Sequence, residues 1–156
     1  MAIIEFARNK LNIKKAISTE LEKSGVPIIG LINEWNKDGK IIKGTNKNLG
    51  GTMRLGLYEA KLKDNSLVRK IYKMKSIRER HRHRYEVNIN YKDQFEKNGM
   101  IFSGLSPDYK LPEIIELKNH PWFVGCQFHP ELKSRVDKAH PLFREFVKAS
   151  LNNSKN

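Results

Sequence analysis

Pro27-Ile-Ile-Gly-Leu-Ile-Asn-Glu-Trp35 is a short, nearly unbroken apolar run that opens on a proline and ends before a cluster of turn formers. A run of this length reads as a mostly buried strand, because a strand with one wet face would alternate apolar and polar residues. Such a strand cannot stand alone. It needs hydrogen-bonded neighbours at its sides and covering elements above and below.

The rest of the chain supplies candidates for both. Asn36-Lys37-Asp38-Gly39 predicts a turn, with Asp-Gly as the hairpin signal, and Lys40-Ile41-Ile42-Lys43 returns from it. A polar loop, residues 44–49, leads through Gly50-Gly51 to a strand expected over Thr52 to Tyr58. Further strands are expected over Met100 to Ser103, Glu113 to Leu117 and Phe123 to Phe128.

Helical spacing alternates with these runs. Met1 to Leu11 carries apolar residues at 3, 4, 7 and 11, yet no Ser, Thr, Asp or Asn precedes the pattern to cap its first amides. Ser66 to Tyr72 predicts a short helix capped by Ser66, and Lys92 to Lys97 another, closed by Asn98-Gly99. Pro141 to Leu151 predicts the last helix, with proline in its first turn and Leu142, Phe143, Phe146 and Val147 on one face. Residues 152–156 are expected to form a polar, frayed tail, which leaves 1–151 as one domain. Interleaved helices and strands give an α/β class, with antiparallel hairpin character in the first half.

Composition narrows the setting. No apolar run approaches the roughly 18–20 residues that span a bilayer, and Met1-Ala-Ile-Ile-Glu5 has no basic segment of the kind that opens a signal peptide. One cysteine excludes an internal disulfide and fits a reducing cytosol, so a cytoplasmic chain with no membrane partner is expected. The net charge is +13, but Lys and Arg are scattered from Arg8 to Lys155, which speaks to solubility more than to a nucleic-acid partner. The exception is Arg78, Arg80, Arg82 and Arg84. In an extended segment these four share one face, with His81, His83 and Tyr85 on the other. Such a ladder suits phosphate or RNA, with Tyr85 for stacking, and His81-x-His83 suits a metal, although no third ligand is evident.

Gly125-Cys-Gln-Phe-His-Pro-Glu131 holds a thiol, an imidazole and a carboxylate. If Phe123 to Phe128 is a strand, Cys126 and His129 face opposite ways and lie roughly 10 Å apart at about 3.3 Å per residue. A nucleophile and its base need hydrogen-bond contact. Cys126 is therefore read as a buried, core-like thiol rather than a nucleophile. His129 and Glu131 are different, because irregular backbone past a strand end allows a carboxylate to reach an imidazole nitrogen two residues away, the orienting arrangement of a triad. A surface His–Glu pair at a turn is the plainer alternative.

Several stretches, read together, resemble the C-terminal glutaminase domain of the CTP synthase family, a class I glutamine amidotransferase. They are Ile4-Glu-Phe-Ala-Arg8, Ser18-Thr-Glu20, Gly50-Gly-Thr-Met-Arg-Leu-Gly56, Glu79-Arg-His-Arg-His-Arg-Tyr-Glu-Val-Asn88, Phe102-Ser-Gly104, His120-Pro-Trp-Phe-Val-Gly-Cys-Gln-Phe-His-Pro-Glu131 and His140-Pro-Leu-Phe143. The resemblance implies an incomplete, flavodoxin-like class I amidotransferase domain with a mixed sheet flanked by helices. It implies His129 as triad base, Glu131 as its orienting acid, and Glu20 and Arg84 as residues that hold L-glutamine. A pocket for glutamine needs one anion for the α-ammonium and one guanidinium fork for the α-carboxylate. Substrate binding by Arg84 then accounts for part of the ladder.

In that family the attacking cysteine stands on a Gly-x-Cys-x-Gly-Gln elbow, which does not occur in these 156 residues. The resemblance implies that Met1 falls just after the elbow, and that the synthetase domain, which uses ATP and Mg, is also outside the chain. No metal or cofactor is expected within it. The expectation is a fragment of a CTP-forming ligase that is inactive alone, with the N-terminal part as a candidate partner chain. Whether it is itself an enzyme stays open, and so does the alternative of a non-catalytic binding protein that uses its basic surface for RNA or for association with the full-length enzyme.

Overall fold

The structure, a computed structural model, describes residues 1–31 and 53–155. The hairpin and loop expected between residues 36 and 49 lie outside the described residues. The described residues divide into two units, one of residues 1–55 and 82–98, the other of residues 56–81 and 99–156.

The first unit opens with helix α1 (Ala2–Asn9), which buries Ile3, Ile4 and Ala7. Met1 stands at its cap position and makes no side-chain cap hydrogen bond. The helix stops two residues short of the expected Leu11. Asn12 adopts a left-handed φ of 58°, a conformation that Asn tolerates better than most residues. Strands β1 (Ala16–Ser18) and β2 (Val26–Leu31) run parallel, and β5 (Tyr85–Val87) pairs antiparallel with β2. The strand expected from Pro27 is thus the middle of a mixed three-stranded sheet. Helix α3 (Lys92–Lys97) packs Phe95, fully buried, against Phe6, with ring centroids 5.7 Å apart. The three-residue strands β1 and β5 carry no sequence signal of their own; they form because β2 offers two open edges.

The second unit is built on a five-stranded sheet in the order β4-β3-β6-β7-β8. Its strands are β3 (Arg54–Leu62), β4 (Ser76–His83), β6 (Met100–Leu105), β7 (Pro112–Leu117) and β8 (Val124–Cys126). The pairs β3–β6, β6–β7 and β7–β8 are antiparallel. Helix α2 (Leu67–Tyr72) starts as its sequence predicts: the Ser66 hydroxyl accepts from the Arg69 amide at 3.2 Å. The Glu116 carboxylate then accepts from the Leu67 and Val68 amides at 2.9 and 3.0 Å, so a buried anion completes the cap. Ala60, Leu62, Val68, Ile77, Ile114, Phe128 and Leu142 form the core of the unit.

Two expectations need correction here. Helix α4 runs from Pro141 to Asn153, so the polar tail begins after, not at, Asn152. Of the apolar face expected on α4 only Leu142 is buried, while Phe143, Phe146 and Val147 are exposed. Amphipathic spacing identifies the apolar face of a helix but not what covers it. No described helix is long and apolar enough to cross a membrane.

Gly104 stands opposite Ile114 in the β6–β7 ladder, where an added Cβ would lie 2.7 Å from Ile114 Cγ1. Gly104→Ala is expected to overpack this site and lower stability by about 1–3 kcal/mol. The check is a urea midpoint that falls at an unchanged slope.

Candidate active site

Strand β8 ends at Cys126, shorter than the expected Phe123 to Phe128, although the Gln127 amide still donates to the Glu113 carbonyl of β7 at 2.9 Å. The chain then turns away, and the His129 amide donates to the Arg80 carbonyl of β4 at 2.8 Å. Pro130 restricts His129 to extended backbone, observed at φ −107° and ψ 91°, and opens a single 3-10 turn over Pro130–Lys133. That turn carries Glu131 back beneath the imidazole, with Oε1 2.6 Å from His129 Nδ1.

The hydrogen bond from His129 holds the Glu131 carboxyl below the usual carboxylate range, so at neutral pH it is an acceptor only. Nδ1 therefore carries the proton. Nε2 keeps its lone pair and has no hydrogen-bond partner among the described residues. The imidazole as a whole is 40% exposed. This Nδ1–H form is the tautomer and orientation that a general base needs.

Cys126 does not use it. Its thiol donates to the Phe128 carbonyl at 3.4 Å, and its side chain packs on the core cluster. Burial, with the charges of Glu131 and Glu79 adding to it, pushes this thiol up to about 12. A thiol of that kind is protonated at pH 7 and a poor nucleophile. Iodoacetamide is expected to alkylate Cys126 in the folded chain at least tenfold more slowly than in the urea-unfolded chain. Cys126 is half-buried rather than buried as expected, and equal rates would contradict its shielding by the core.

Glu20 and Arg84 belong to the first unit. Glu20 is exposed, in a turn just past β1, where its amide donates to the Ser18 hydroxyl at 3.3 Å. Arg84 is half-buried at the bend between β4 and β5. Because β1 and β2 are parallel and β5 runs against them, the end of β1 and the start of β5 meet at one end of the sheet. The pairs Ser18↔Ile29 and Leu31↔Tyr85 define that end. It is the carboxyl end of the parallel pair, where open α/β sheets bind ligands. Glu86, fully buried, accepts from Arg54 at 3.0 Å and is 2.7 Å from His83 Nε2, so its carboxylate braces the bend from within.

The alternation expected for the arginine ladder is present for three of its four arginines, since β4 ends at His83 and Arg84 lies beyond it. Ile77, Glu79 and His81 are buried on β4, and Arg78, Arg80 and Arg82 are exposed. The two histidines have different carboxylate partners. His81, almost fully buried, lies 3.6 Å from Glu113, while His83 bonds Glu86. Among the described residues no group of three or more metal-ligating side chains stands together. Sequence reasoning missed the buried carboxylates Glu79, Glu86, Glu113 and Glu116. The one available signal was that Glu79 shares the parity of Ile77 on β4 and Glu116 that of Ile114 on β7; Glu113 lies on the opposite parity of β7, and Glu86 sits in a three-residue strand.

Comparison with known proteins completes the description. Residues 3–149 match the glutamine amidotransferase class-I family. The CTP synthase of Pelagibacter ubique (strain HTCC1062) is 75% identical over 152 residues, covering 97% of this chain and 28% of that protein. The CTP synthase of Zymomonas mobilis is 56% identical over 156 residues, covering 99% of this chain and 29% of that protein. Among solved structures, the glutaminase domain of Trypanosoma brucei CTPS with bound acivicin matches with a TM-score of 0.81 at 29% identity, covering 97% of this chain and 56% of that one. The chain thus spans less than a third of the length of the curated relatives it matches.

Proposed function

Because this chain belongs to the class I glutamine amidotransferase family, we propose that it supplies the base, the orienting acid and part of the amino-acid pocket of a CTP synthase glutaminase. The observation that carries this reading is the 2.6 Å bond from His129 Nδ1 to Glu131, with Nε2 left unprotonated. In the reaction, Nε2 takes the proton of a cysteine thiol supplied from outside these residues. The thiolate adds to the carboxamide carbon of glutamine, and the protonated imidazole returns the proton to the departing nitrogen, releasing ammonia. The base then takes a proton from water as it adds to the thioester carbon; the cysteine sulfur departs and receives that proton back from the imidazole, and glutamate is released. Glu131 stays ionised and stabilises the imidazolium at each stage.

Glu20 and Arg84 support the same reading. Glu20 follows β1 and Arg84 precedes β5, the two strands that flank β2, so both stand just beyond the same end of that sheet. Two long side chains placed there suit an α-ammonium and an α-carboxylate held between them. The ammonia would serve an ATP- and Mg-dependent amination of UTP to CTP in the remaining portion of a CTP synthase. A cytoplasmic setting belongs to the same proposal, since glutamine and nucleotides are soluble metabolites. No observation favours a non-catalytic RNA-binding role.

The test is reconstitution. Co-expression with a CTP synthase portion that ends in the Gly-x-Cys-x-Gly-Gln elbow and its synthetase domain is expected to yield glutamine-dependent CTP formation, lost with Arg84→Ala. Ammonia-dependent formation alone, with no response to glutamine, would overturn the proposal.

A further inference from the structure

Three consecutive residues of β4 grip the turn that carries Glu131. The Arg80 carbonyl accepts the His129 amide at 2.8 Å, and the Arg78 carbonyl accepts Lys133 Nζ at 2.6 Å. Between them the Glu79 carboxylate points inward, with Oε2 3.3 Å from Lys133 Nζ. Lys133 is the last residue of the 3-10 turn, and Glu131 lies two residues before it. Both ends of the Glu131 turn are therefore fixed to one strand.

Glu79 is itself held from the other side. His140 Nε2 lies 3.1 Å from Oε1, and the Tyr72 hydroxyl donates to the same oxygen at 3.2 Å. His140 Nδ1 accepts the Leu142 amide at 3.3 Å as the cap of α4, so Nε2 carries the proton and donates to Glu79 in the neutral ring. The His140 amide donates to the Ser134 hydroxyl at 3.1 Å, which ties the residue after the turn to the same cap. Burial alone would raise the Glu79 carboxyl. The His140 hydrogen bond and the Lys133 charge outweigh it and hold the group below the usual carboxylate range. An ionised carboxylate with two donors on Oε1, from the end of α2 and the cap of α4, and the Lys133 charge beside Oε2 is a rigid anchor.

We propose that Glu79 and Lys133 are a positioning pair: through their ion pair and the Lys133–Arg78 bond they fix the turn that aims Glu131 at His129 Nδ1, and so set which imidazole nitrogen is the base. Neither residue touches His129 or Glu131 through its side chain, and neither reaches a reacting atom. They act through the backbone of residues 130–133. The alignment of Glu131 matters because a carboxylate displaced by about 1 Å no longer fixes the tautomer, and geometric errors of that size at a reacting centre cost about a hundredfold. The inference rests on the His129–Glu131 reading above.

The experiment is ring nitrogen NMR of His129 in the 156-residue chain at pH 8, with Glu131→Gln as the reference for a lost pattern. The wild type is expected to show the Nδ1–H form at His129. Lys133→Met keeps the length and apolar stem of the side chain but removes its donor. It is expected to leave the thermal midpoint within a few degrees and to shift His129 from the Nδ1–H form to a tautomer mixture, part-way toward the Nε2–H pattern of the reference. Lys133→Arg, which restores a donor, is expected to regain the Nδ1–H form. Glu79→Gln should reproduce the Lys133→Met shift; if its buried amide prevents folding, Lys133→Met decides. Retention of the wild-type Nδ1–H form in Lys133→Met overturns the proposal, as does a fall in the melting temperature with no change in the ring. The readout is independent of turnover. Reconstituted enzyme that tolerates His129→Ala would instead sink the catalytic reading and leave the tautomer result standing.

Discussion

The purified 156-residue chain, incubated with L-glutamine, is expected to release no ammonia above a His129→Ala control. Its dyad is in order, but its one cysteine bonds the Phe128 carbonyl and is raised to about 12 by burial. A triad works as a unit. Loss of the nucleophile alone removes on the order of a millionfold in a well-measured serine protease, about as much as loss of all three groups. The same logic gives the sign and size of the effect once a nucleophile is supplied. In reconstituted enzyme His129→Ala is expected to remove at least ten-thousandfold of glutamine-dependent turnover, on the scale known for triad bases.

Glu131→Gln should cost about ten-thousandfold for a different reason. The amide of Gln can donate to Nδ1, which moves the ring proton to Nε2 and leaves no lone pair there for the thiol. Ammonia released by the wild-type chain alone, and lost with His129→Ala, would mean that some group in these residues attacks glutamine. That outcome would remove the basis of the reading.

Glu86→Ala is expected to destabilise the first unit by about 3–5 kcal/mol, the usual result of removing one partner of a buried ion pair. The Glu86 carboxylate has no exposure, and the Arg54 guanidinium bonded to it has only 8%. Truncation removes the carboxylate bonded to the nearly buried Arg54 guanidinium, and His83 loses its 2.7 Å contact with it. Against a total stability of about 5–15 kcal/mol, a loss of that size is enough to populate the unfolded state. Urea denaturation followed by circular dichroism would measure it. Arg54→Met combined with Glu86→Leu should recover much of the loss, since an apolar pair of similar volume removes the cost of burying both charges. A single variant within 1 kcal/mol of wild type would show that water or local rearrangement already screens the pair.

Local chemistry was legible in the sequence wherever the partners were close along the chain. The Ser66 cap, the Asn98-Gly99 stop and the proline start of α4 each depend on atoms within one turn, and each is present. The alternation of Arg78, Arg80 and Arg82 with Ile77, Glu79 and His81 follows from the period of a strand, which needs no knowledge of the fold. The pairing of His129 with Glu131 spans two residues and a proline, so it too could be read directly.

What covers a face was not legible. The apolar stripe of α4 was clear from its spacing, yet the fold buries Leu142 and exposes Phe143, Phe146 and Val147, with the short helix α2 as the main element packed against α4. Nor did any local signal mark Glu79, Glu86, Glu113 and Glu116 as buried, since a carboxylate enters a core only when donors from elsewhere meet it there. The amino-acid order alone determined that His129 and Glu131 pair, because a hydrogen bond across two residues is a property of short backbone. The tertiary structure alone decided how firmly that pair is aimed, because the bond from Lys133 to Arg78 crosses 55 residues and exists only once β4 and the turn have been folded against each other.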